Sequence, residues 1–282
     1  MKNKKLQIGE ITYELNEDTK EASVVVSDIH ETPFAVEVPE VIEYDNKSYT
    51  VTRLKDNSFS CCTRLTRMTI PESMIGIGTE AFAYCDNLEC IEIPESVTEI
   101  GNEAFAGCHN LKSIEIPNSV KRLGIGMFNE CTKIESINMS NGIDKIEETT
   151  FYKCTSLKNV SIPDGIKEIG RGAFQHCSSL KDLKLPDSLT KIGEYAFAFC
   201  ESLESVTIPK NVTAVEKGIF HSCTSLKSIT LPDSITTLDP DIFRYCYGLE
   251  EIRIPGTEKA FPLWVTLMES KYADLVNTVS TE

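Results

Sequence analysis

A strict 23-residue period is the feature that most constrains what this chain can fold into. Phe recurs nine times with no insertion or deletion between copies, and Cys follows three residues after each Phe. The repeated aromatic positions are Phe59, Phe82, Phe105, Phe128, Phe151, Phe174, Phe197, Phe220 and Phe243. A fixed period of roughly 20 to 50 residues is typical of solenoids, in which each unit buries its apolar face only against its neighbours. The pattern therefore predicts a repeat solenoid with 23-residue coils.

Three pieces are predicted within each repeat. Residues 111–116 show an LxxLxL strand pattern, and Pro117 ends the strand because Pro cannot extend a hydrogen-bonded ladder. A short extended segment with inward Val97 and Ile100 leads to Gly101, and this recurring Gly is interpreted as a turn in which the backbone needs freedom. The segment that carries Phe and Cys is predicted to be a single helical turn. Each coil is then one turn of backbone around an apolar interior.

Both flanks depart from the repeat frame and are predicted to be caps. Residues 1–52 show short alternating or β-branched runs separated by turn residues, which predicts a small N-terminal β cap. Residues 53–255 form the nine-coil solenoid. Residues 256–282 have a helix-like apolar spacing, which predicts a C-terminal helical cap. Caps are expected because an uncovered terminal repeat shows apolar surface and strand edges to solvent.

The eleven cysteines are interpreted mainly through the repeat. Equivalent residues of successive coils lie about 4.8 Å apart, the spacing of paired strands, so the nine in-frame Cys are predicted to form one interior line of buried thiols. Disulfides between adjacent coils are geometrically possible and stay open as an alternative. Cys61 and Cys90 lie outside the line and have no obvious partners. No repeated zinc-ligand spacing occurs, so no metal is expected.

Charge and hydropathy narrow the choice of partners. The net charge is −15, which repels phosphate backbones and anionic lipid, so nucleic acid is not an expected partner. No apolar run of about 18 residues occurs, so no membrane span is expected. The N-terminus has a basic start but no apolar h-region. Two locations stay open: the cell surface or secretion if a leader was removed, and the cytoplasm.

No constellation in the chain predicts catalysis. Gly76-Ile77-Gly78-Thr79-Glu80-Ala81 imitates a short dinucleotide-binding motif, but it falls inside the repeat frame with no crossover unit around it. The four His occupy different contexts, and no nucleophile, base and orienting group converge. The sequence therefore predicts a protein that is not an enzyme and binds no cofactor.

The repeat itself resembles a known family. The pattern P-x-x-V-x-x-I-G-x-x-A-F-x-x-C-x-x-L-x-x-I-x-I over residues 53–255 is similar to the BspA-like leucine-rich repeat, also called the Treponema pallidum type. The resemblance implies a right-handed leucine-rich repeat superhelix with one parallel sheet. It also implies a bacterial surface or secreted molecule that adheres to host proteins or cells. The family offers no catalytic residues to carry over.

Outward residues of the predicted strands are the candidate binding surface, because the side chains that flank each central apolar residue point away from the core. The candidate partner-binding residues are Ser136, Asn138, Asn159, Ser161, Asp182, Lys184, Ser205, Thr207, Ser228 and Thr230. Such short hydroxyl and amide side chains suit an extended peptide or a glycan, and a merely solvated sheet surface is the alternative. A second candidate is the edge two residues after each Phe, where Tyr84, His176, Phe199 and Tyr245 lie.

The function predicted from these observations is a non-enzymatic protein-interaction or adhesion module that binds host or cell-surface proteins through the sheet face. One alternative is an intracellular scaffold for an endogenous protein. Another is a carbohydrate-binding module, which predicts a cluster of exposed aromatic residues on one face.

Overall fold

The computed structural model describes residues 4–27, 33–239, 241–255 and 273–279. The chain divides into two compact units, Met1–Gly142 and Ile143–Glu282. Within the described ranges the regular structure is short strands and turns, and the one helical element is the 3-10 turn Ala273–Leu275. This confirms the prediction of a parallel-sheet solenoid built from 23-residue coils.

The Met1–Gly142 unit begins with an antiparallel segment. Its strands are β1 (Lys4–Ile8), β2 (Ile11–Asn16), β3 (Glu21–Ser27), β4 (Ala35–Glu37), β5 (Val41–Tyr44) and β6 (Lys47–Leu54). β1 pairs with β2, β2 with β3, and β5 with β6 in antiparallel fashion, whereas β3 and β6 are parallel. The strands expected within residues 1–52 are thus present. β6 runs past residue 52, however, and whether this segment acts as a cap stays a prediction.

The repeat in the same unit forms two sets of parallel strands. The set from the LxxLxL pattern is β7 (Arg67–Thr69), β9 (Cys90–Ile91), β11 (Ser113–Glu115) and β12 (Ser136–Asn138), and the second set is β8 (Gly76–Ile77) and β10 (Glu99–Ile100). β4 pairs with β7 and β7 with β9, while β6 pairs with β8 and β8 with β10. β11 pairs with β12 in a register of one repeat, with Ser113 opposite Ser136.

The Ile143–Glu282 unit repeats this arrangement. The second set comprises β13 (Lys145–Ile146), β15 (Glu168–Ile169), β16 (Lys191–Ile192), β18 (Ala214–Val215) and β20 (Thr237–Leu238). The LxxLxL set comprises β14 (Asn159–Ser161), β17 (Ser205–Thr207), β19 (Ser228–Thr230) and β21 (Glu251–Pro255), which pairs with a last strand, β22 (Val276–Val279). Between β14 and β17, Asp182 makes single parallel bridges to Asn159 and Ser205.

Most strands of the LxxLxL set stop before Pro for the expected reason, and the Pro also opens a turn, whereas β21 runs through Pro255. The carbonyl of Pro94 accepts a hydrogen bond from the amide of Val97, and Pro186 and Leu189 repeat the contact, both at 3.0 Å. The coil with Ser140 in place of Pro keeps a turn by other means. The buried Ser140 hydroxyl donates to the Val120 carbonyl at 2.7 Å and accepts from the Gly142 amide.

The repeated Phe residues form ladders of stacked rings in the core. In the Ile143–Glu282 unit, the Phe174 and Phe197 centroids lie 5.5 Å apart and those of Phe197 and Phe220 lie 5.8 Å apart, with nearly parallel planes. In the Met1–Gly142 unit, Phe82 and Phe105 lie 5.3 Å apart. All nine repeated Phe are buried, as the frame predicts.

The segment that carries each Phe is not the helical turn that was predicted. It is a series of β-turns, and the residues two before and two after Phe197, Tyr195 and Phe199, have left-handed φ values of 56° and 61°. The amides of Tyr195, Phe197 and Phe199 all donate to carbonyls of the following coil, at 2.8 to 3.0 Å. An α-helix would direct these amides to its own carbonyls, so bonding between coils excludes it.

The recurrent Gly at the corner after the second strand set also has a different role from the one predicted. These residues are Gly78, Gly101, Gly124, Gly170 and Gly193, and none has a left-handed φ. A Cβ on Gly170 would lie 2.6 Å from the Glu148 amide nitrogen, and one on Gly193 would lie 2.7 Å from that of Arg171. Gly is required here because the backbones of successive coils touch, not because the turn needs conformational freedom.

The in-frame thiols are free and buried, whereas Cys61 and Cys90 are free and exposed. Thiols along this line bond to the preceding coil. The Cys200 Sγ donates to the Phe174 carbonyl at 3.3 Å, and the Cys223 Sγ donates to the Phe197 carbonyl at 3.2 Å. Burial raises the pKa of the Cys131 thiol to about 12. The predicted line of buried thiols is therefore present, and no inter-coil disulfide forms among the described residues.

The predicted C-terminal helical cap falls largely on residues 256–272, which lie outside the described residues. The described part of that segment is the 3-10 turn Ala273–Leu275 followed by β22. For this part the helix prediction is wrong. β22 instead extends the parallel sheet, with Ile252 opposite Val276.

Candidate binding surfaces

Eight of the ten predicted binding residues lie on one surface of the Ile143–Glu282 unit. This surface, the sheet face, consists of the outward side chains of β14, residues 182–184, β17, β19 and β21. Strand register aligns them in columns. One column runs through Asn159, Asp182, Ser205, Ser228 and Glu251. In the other column, Thr207 lies opposite Thr230, which lies opposite Arg253.

The sheet face is polar because its apolar partners point inward. Val206 and Ile229 are buried, while their flanking residues Ser205 and Thr207 are exposed. Asn159, Ser161, Asp182 and Lys184 are likewise exposed, and Ser228 and Thr230 are partly exposed. Side chains alternate between inward and outward along each strand, so these eight side chains point away from the core, as the sequence predicted.

The other two predicted residues, Ser136 and Asn138, lie in the Met1–Gly142 unit. Both are exposed on β12, and they pair with Ser113 and Glu115 of β11.

Ion pairs lie at the border of the sheet face and, in the last coil, within it. Glu204 lies between two lysines, with 3.2 Å to the Lys181 Nζ and 3.3 Å to the Lys227 Nζ. Hydrogen bonds from Lys181 and Lys227 lower the pKa of the Glu204 carboxyl. At the last coil, Arg253 contacts Glu251 at 2.6 Å, and this bond raises the pKa of the guanidinium. Charges along this border are therefore already compensated within the protein.

A second surface of the Ile143–Glu282 unit is formed by aromatic side chains. The aromatic row consists of Tyr152, His176, Phe199, His221, Tyr245 and Tyr247. Consecutive ring centroids along it lie 5.7, 4.2, 5.3, 5.2 and 6.1 Å apart. The row runs through five successive coils.

The predicted edge residues His176, Phe199 and Tyr245 belong to this row, while Tyr84 lies in the other unit, against Gly107. The prediction missed Tyr152, His221 and Tyr247. The first two stand one residue after Phe rather than two, so a search at a single repeat position overlooks them. A search for aromatic residues both one and two residues after each repeated Phe would have found Tyr152 and His221 in the sequence.

The two histidines of the aromatic row favour the neutral form. Burial, with a smaller effect from the Lys153 cation, lowers the pKa of His176. Burial followed by the effect of Arg244 lowers the pKa of His221. The same cations lie over two tyrosine rings of the row: the Lys153 Nζ is 5.2 Å from the centre of Tyr152, and the Arg244 Cζ is 5.1 Å from that of Tyr245.

Within residues 4–27, 33–239, 241–255 and 273–279, no cluster of three or more His, Cys, Asp or Glu side chains is suited to hold a metal ion. No helix in that part of the chain is both long enough and apolar enough to cross a bilayer.

The fold and these surfaces define a leucine-rich repeat solenoid. Residues 42–157 and 144–264 match the BspA type leucine rich repeat region, in six copies. The chain belongs to this family. Membership indicates a protein-interaction module and gives no indication of an enzyme. No curated protein matches the chain.

Solved structures of other leucine-rich repeat proteins are similar to this chain. A leucine-rich repeat protein from Eubacterium ventriosum is 17% identical, with a TM-score of 0.50 over 97% of this chain and 83% of that chain. A leucine rich cell surface protein from Faecalibacterium prausnitzii is 22% identical, with a TM-score of 0.45 over 93% and 97% of the two chains. The T. pallidum leucine rich repeat protein is 23% identical, with a TM-score of 0.39 over 87% and 91%.

Proposed function

We propose that this protein is a non-enzymatic interaction module that binds a protein ligand through the sheet face, as an adhesin does with host or cell-surface proteins. The observation that carries the proposal is the alignment of short polar side chains in columns on paired strands. Asn159, Asp182, Ser205 and Ser228 follow one another in register in successive coils. Repeat proteins use such extended surfaces for binding.

The chemistry of these side chains suits an extended polypeptide. Hydroxyl and amide groups both donate and accept hydrogen bonds, and in the sheet face they recur at about 4.8 Å, the spacing of paired strands. Ser, Thr and Asn also have short side chains, which lose less conformational entropy on binding than Lys or Glu. A bound peptide segment can therefore form many weak hydrogen bonds with a regular array of side chains. Affinity is expected to come from their number.

The test is a binding measurement with purified protein and immobilised extracellular-matrix proteins. The variant Asn159→Arg plus Ser205→Arg places two long cations on the sheet face, where both parent side chains are exposed. The matched control is Thr190→Arg plus Thr213→Arg. It adds the same charge at exposed positions beside β16 and β18.

The proposal expects a matrix protein to bind the wild type and the control, and to lose most of its affinity for the sheet-face variant. Equal binding by both variants would exclude this surface. Binding of no matrix protein would exclude the adhesin proposal. Fractionation of the source cells tests location, because an adhesin must be found outside the cytoplasm and an intracellular scaffold within it.

A further inference from the structure

The aromatic row is held at backbone positions that do not favour aromatic residues. His176, Phe199 and Tyr245 have φ values of 64°, 61° and 65°. This left-handed region is uncommon for residues other than Gly, Asn and Asp, and it is least favourable for bulky side chains. The same repeat position is left-handed in other coils too, where it holds Glu130, Lys153 and Ser222, so the backbone conformation belongs to the repeat. What distinguishes these three coils is the bulky ring at a position that does not favour one.

The rings of the aromatic row are also not core residues. Tyr245 is 43% exposed and Tyr247 is 80% exposed, and the remaining four are partly exposed. The core ladder is formed instead by the neighbouring Phe174, Phe197 and Phe220, which are fully buried. The unit therefore carries a second line of rings that its hydrophobic core does not require.

Ring orientation changes along the aromatic row. His176 and Phe199 stack with an interplanar angle of 11°. Tyr152 is turned by 86° relative to His176, and Tyr245 by 83° relative to His221. Neither tyrosine is therefore stacked face to face with the histidine beside it. Tyr247, which is tilted by 51° from Tyr245 and is 80% exposed, presents ring surface to solvent.

Hydroxyl groups border the aromatic row. Thr155, Ser178 and Thr224 occupy the position directly after the repeated Cys, the same position that Tyr247 has in its coil. The Tyr245 and Tyr247 rings lie 6.1 Å apart, so this position adjoins the row. The Ser178 Oγ donates to the Thr155 carbonyl at 3.4 Å, and Thr224 makes the same contact with Glu201. Hydroxyls therefore adjoin the row in three coils, and Glu201 occupies the same position in the coil of Phe199.

Charge near the row is balanced, although the chain carries −15 overall. Lys153 and Arg244 lie over the Tyr152 and Tyr245 rings. Glu201 and Asp241 act on His176 and His221 with the opposite sign. Neither a polyanion nor a polycation is favoured by this arrangement.

From these features we propose that the aromatic row binds a neutral polysaccharide chain lying along the Ile143–Glu282 unit. Sugar rings present apolar C–H faces that pack on aromatic rings, and their hydroxyls bond to the bordering Thr and Ser groups. The centroid spacing of 4.2 to 6.1 Å is close to the length of one sugar residue in an extended polysaccharide. This ligand differs from the protein ligand proposed for the sheet face, and the two sites are separate.

Affinity electrophoresis of the full chain in gels that contain soluble neutral β-glucan, xylan or galactomannan tests the proposal, with polygalacturonate and heparin as anionic probes. The site variant is Tyr245→Asn plus Tyr247→Ser, because Asn tolerates the left-handed backbone at position 245. The matched control is Tyr84→Asn. Tyr84 is 48% exposed, has φ 59° and stands at the equivalent repeat position in the other unit. The sheet-face variant Asn159→Arg plus Ser205→Arg serves as a second control.

At least one neutral polysaccharide should retard the wild type, with affinity falling about tenfold or more in the site variant, as for an exposed aromatic hot spot. Both control variants should bind like the wild type, and thermal unfolding should show that the site variant is folded. Retardation by the anionic probes alone, equal retardation of the site variant, or no retardation by any probe overturns the proposal.

Discussion

Substitution of a corner glycine tests whether close contact between coils dictates the repeated Gly. In Gly193→Ala the new Cβ would lie 2.7 Å from the Arg171 amide nitrogen and 2.9 Å from the Gly170 carbonyl carbon. Both distances are below any normal contact of a Cβ atom, and both partners are backbone atoms that cannot rotate away. The two coils must therefore separate locally. The separation lengthens the 2.8 Å hydrogen bond from the Gly193 amide to the Ile169 carbonyl.

The expected magnitude follows from these contacts. Overpacking of this kind costs roughly 1 to 3 kcal/mol, and weakening one backbone hydrogen bond adds about 1 kcal/mol. Replacing Gly by Ala also reduces the entropy of the unfolded chain, which offsets about 0.4 to 1 kcal/mol. The free energy of unfolding should therefore fall by about 1 to 3 kcal/mol.

Gly165→Ala is the matched control in the same unit. The nearest atom to its Cβ would be the Ile143 carbonyl oxygen at 3.6 Å, an ordinary contact, and Gly165 has no left-handed φ. Only the entropy effect remains, so the control should be unchanged or stabilised by up to about 1 kcal/mol. Urea unfolding followed by circular dichroism measures both variants. If Gly193→Ala matches Gly165→Ala, inter-coil contact is not the reason for the repeated Gly.

Three further predictions concern the core, the thiols and pH. Phe197→Ala should lose about 3 to 5 kcal/mol of unfolding free energy because Phe197 is fully buried. Phe199→Asn should lose far less because Phe199 is only partly buried. Similar urea midpoints for the two variants would refute the assignment of the repeated Phe to the core. Mass spectrometry after alkylation of the native protein should find Cys61 and Cys90 modified and the nine buried thiols protected, and rapid labelling of Cys131, whose pKa burial raises to about 12, would contradict this. The folded state lowers the pKa values of His176 and His221. The two neutral histidines therefore contribute stability above about pH 6.5, which is the pKa of His in the unfolded chain, and this contribution is lost as the pH falls through the folded-state pKa values. Urea midpoints between about pH 7.5 and pH 5.5 should therefore drop more in the wild type than in His176→Phe plus His221→Phe, and parallel curves would show that these histidines do not contribute.

Much of the fold could be predicted from the sequence because the repeat fixes several positions at once. Phe174 and Phe197 are separated by one period, and they stack in the core as the period requires. The alternation around Val206 places Ser205 and Thr207 outside. The columns of the sheet face follow directly, since parallel coils of equal length bring equivalent residues into register.

Two predictions about the backbone were wrong because the contact that decides the conformation lies in a neighbouring coil. The segment that carries Phe and Cys, for example residues 102–108, has the composition of a helical turn, but its amides bond to the next coil and the backbone is left-handed on both sides of Phe. The recurrent Gly suggested a flexible turn, whereas its φ is ordinary and the constraint is the backbone of the coil beside it. Neither partner is visible from the local sequence.

The sequence by itself determined the length of the coil, the buried Phe and Cys lines and the outward polar columns, because a 23-residue period without insertions leaves one register for the stack. Only the tertiary structure decided how closely adjacent coils approach at Gly193. It also decided that Tyr152, His176 and Phe199, which occupy two different repeat positions, lie side by side in one row. The physical reason is that these contacts depend on inter-coil distance and ring orientation, and residue spacing along the chain specifies neither.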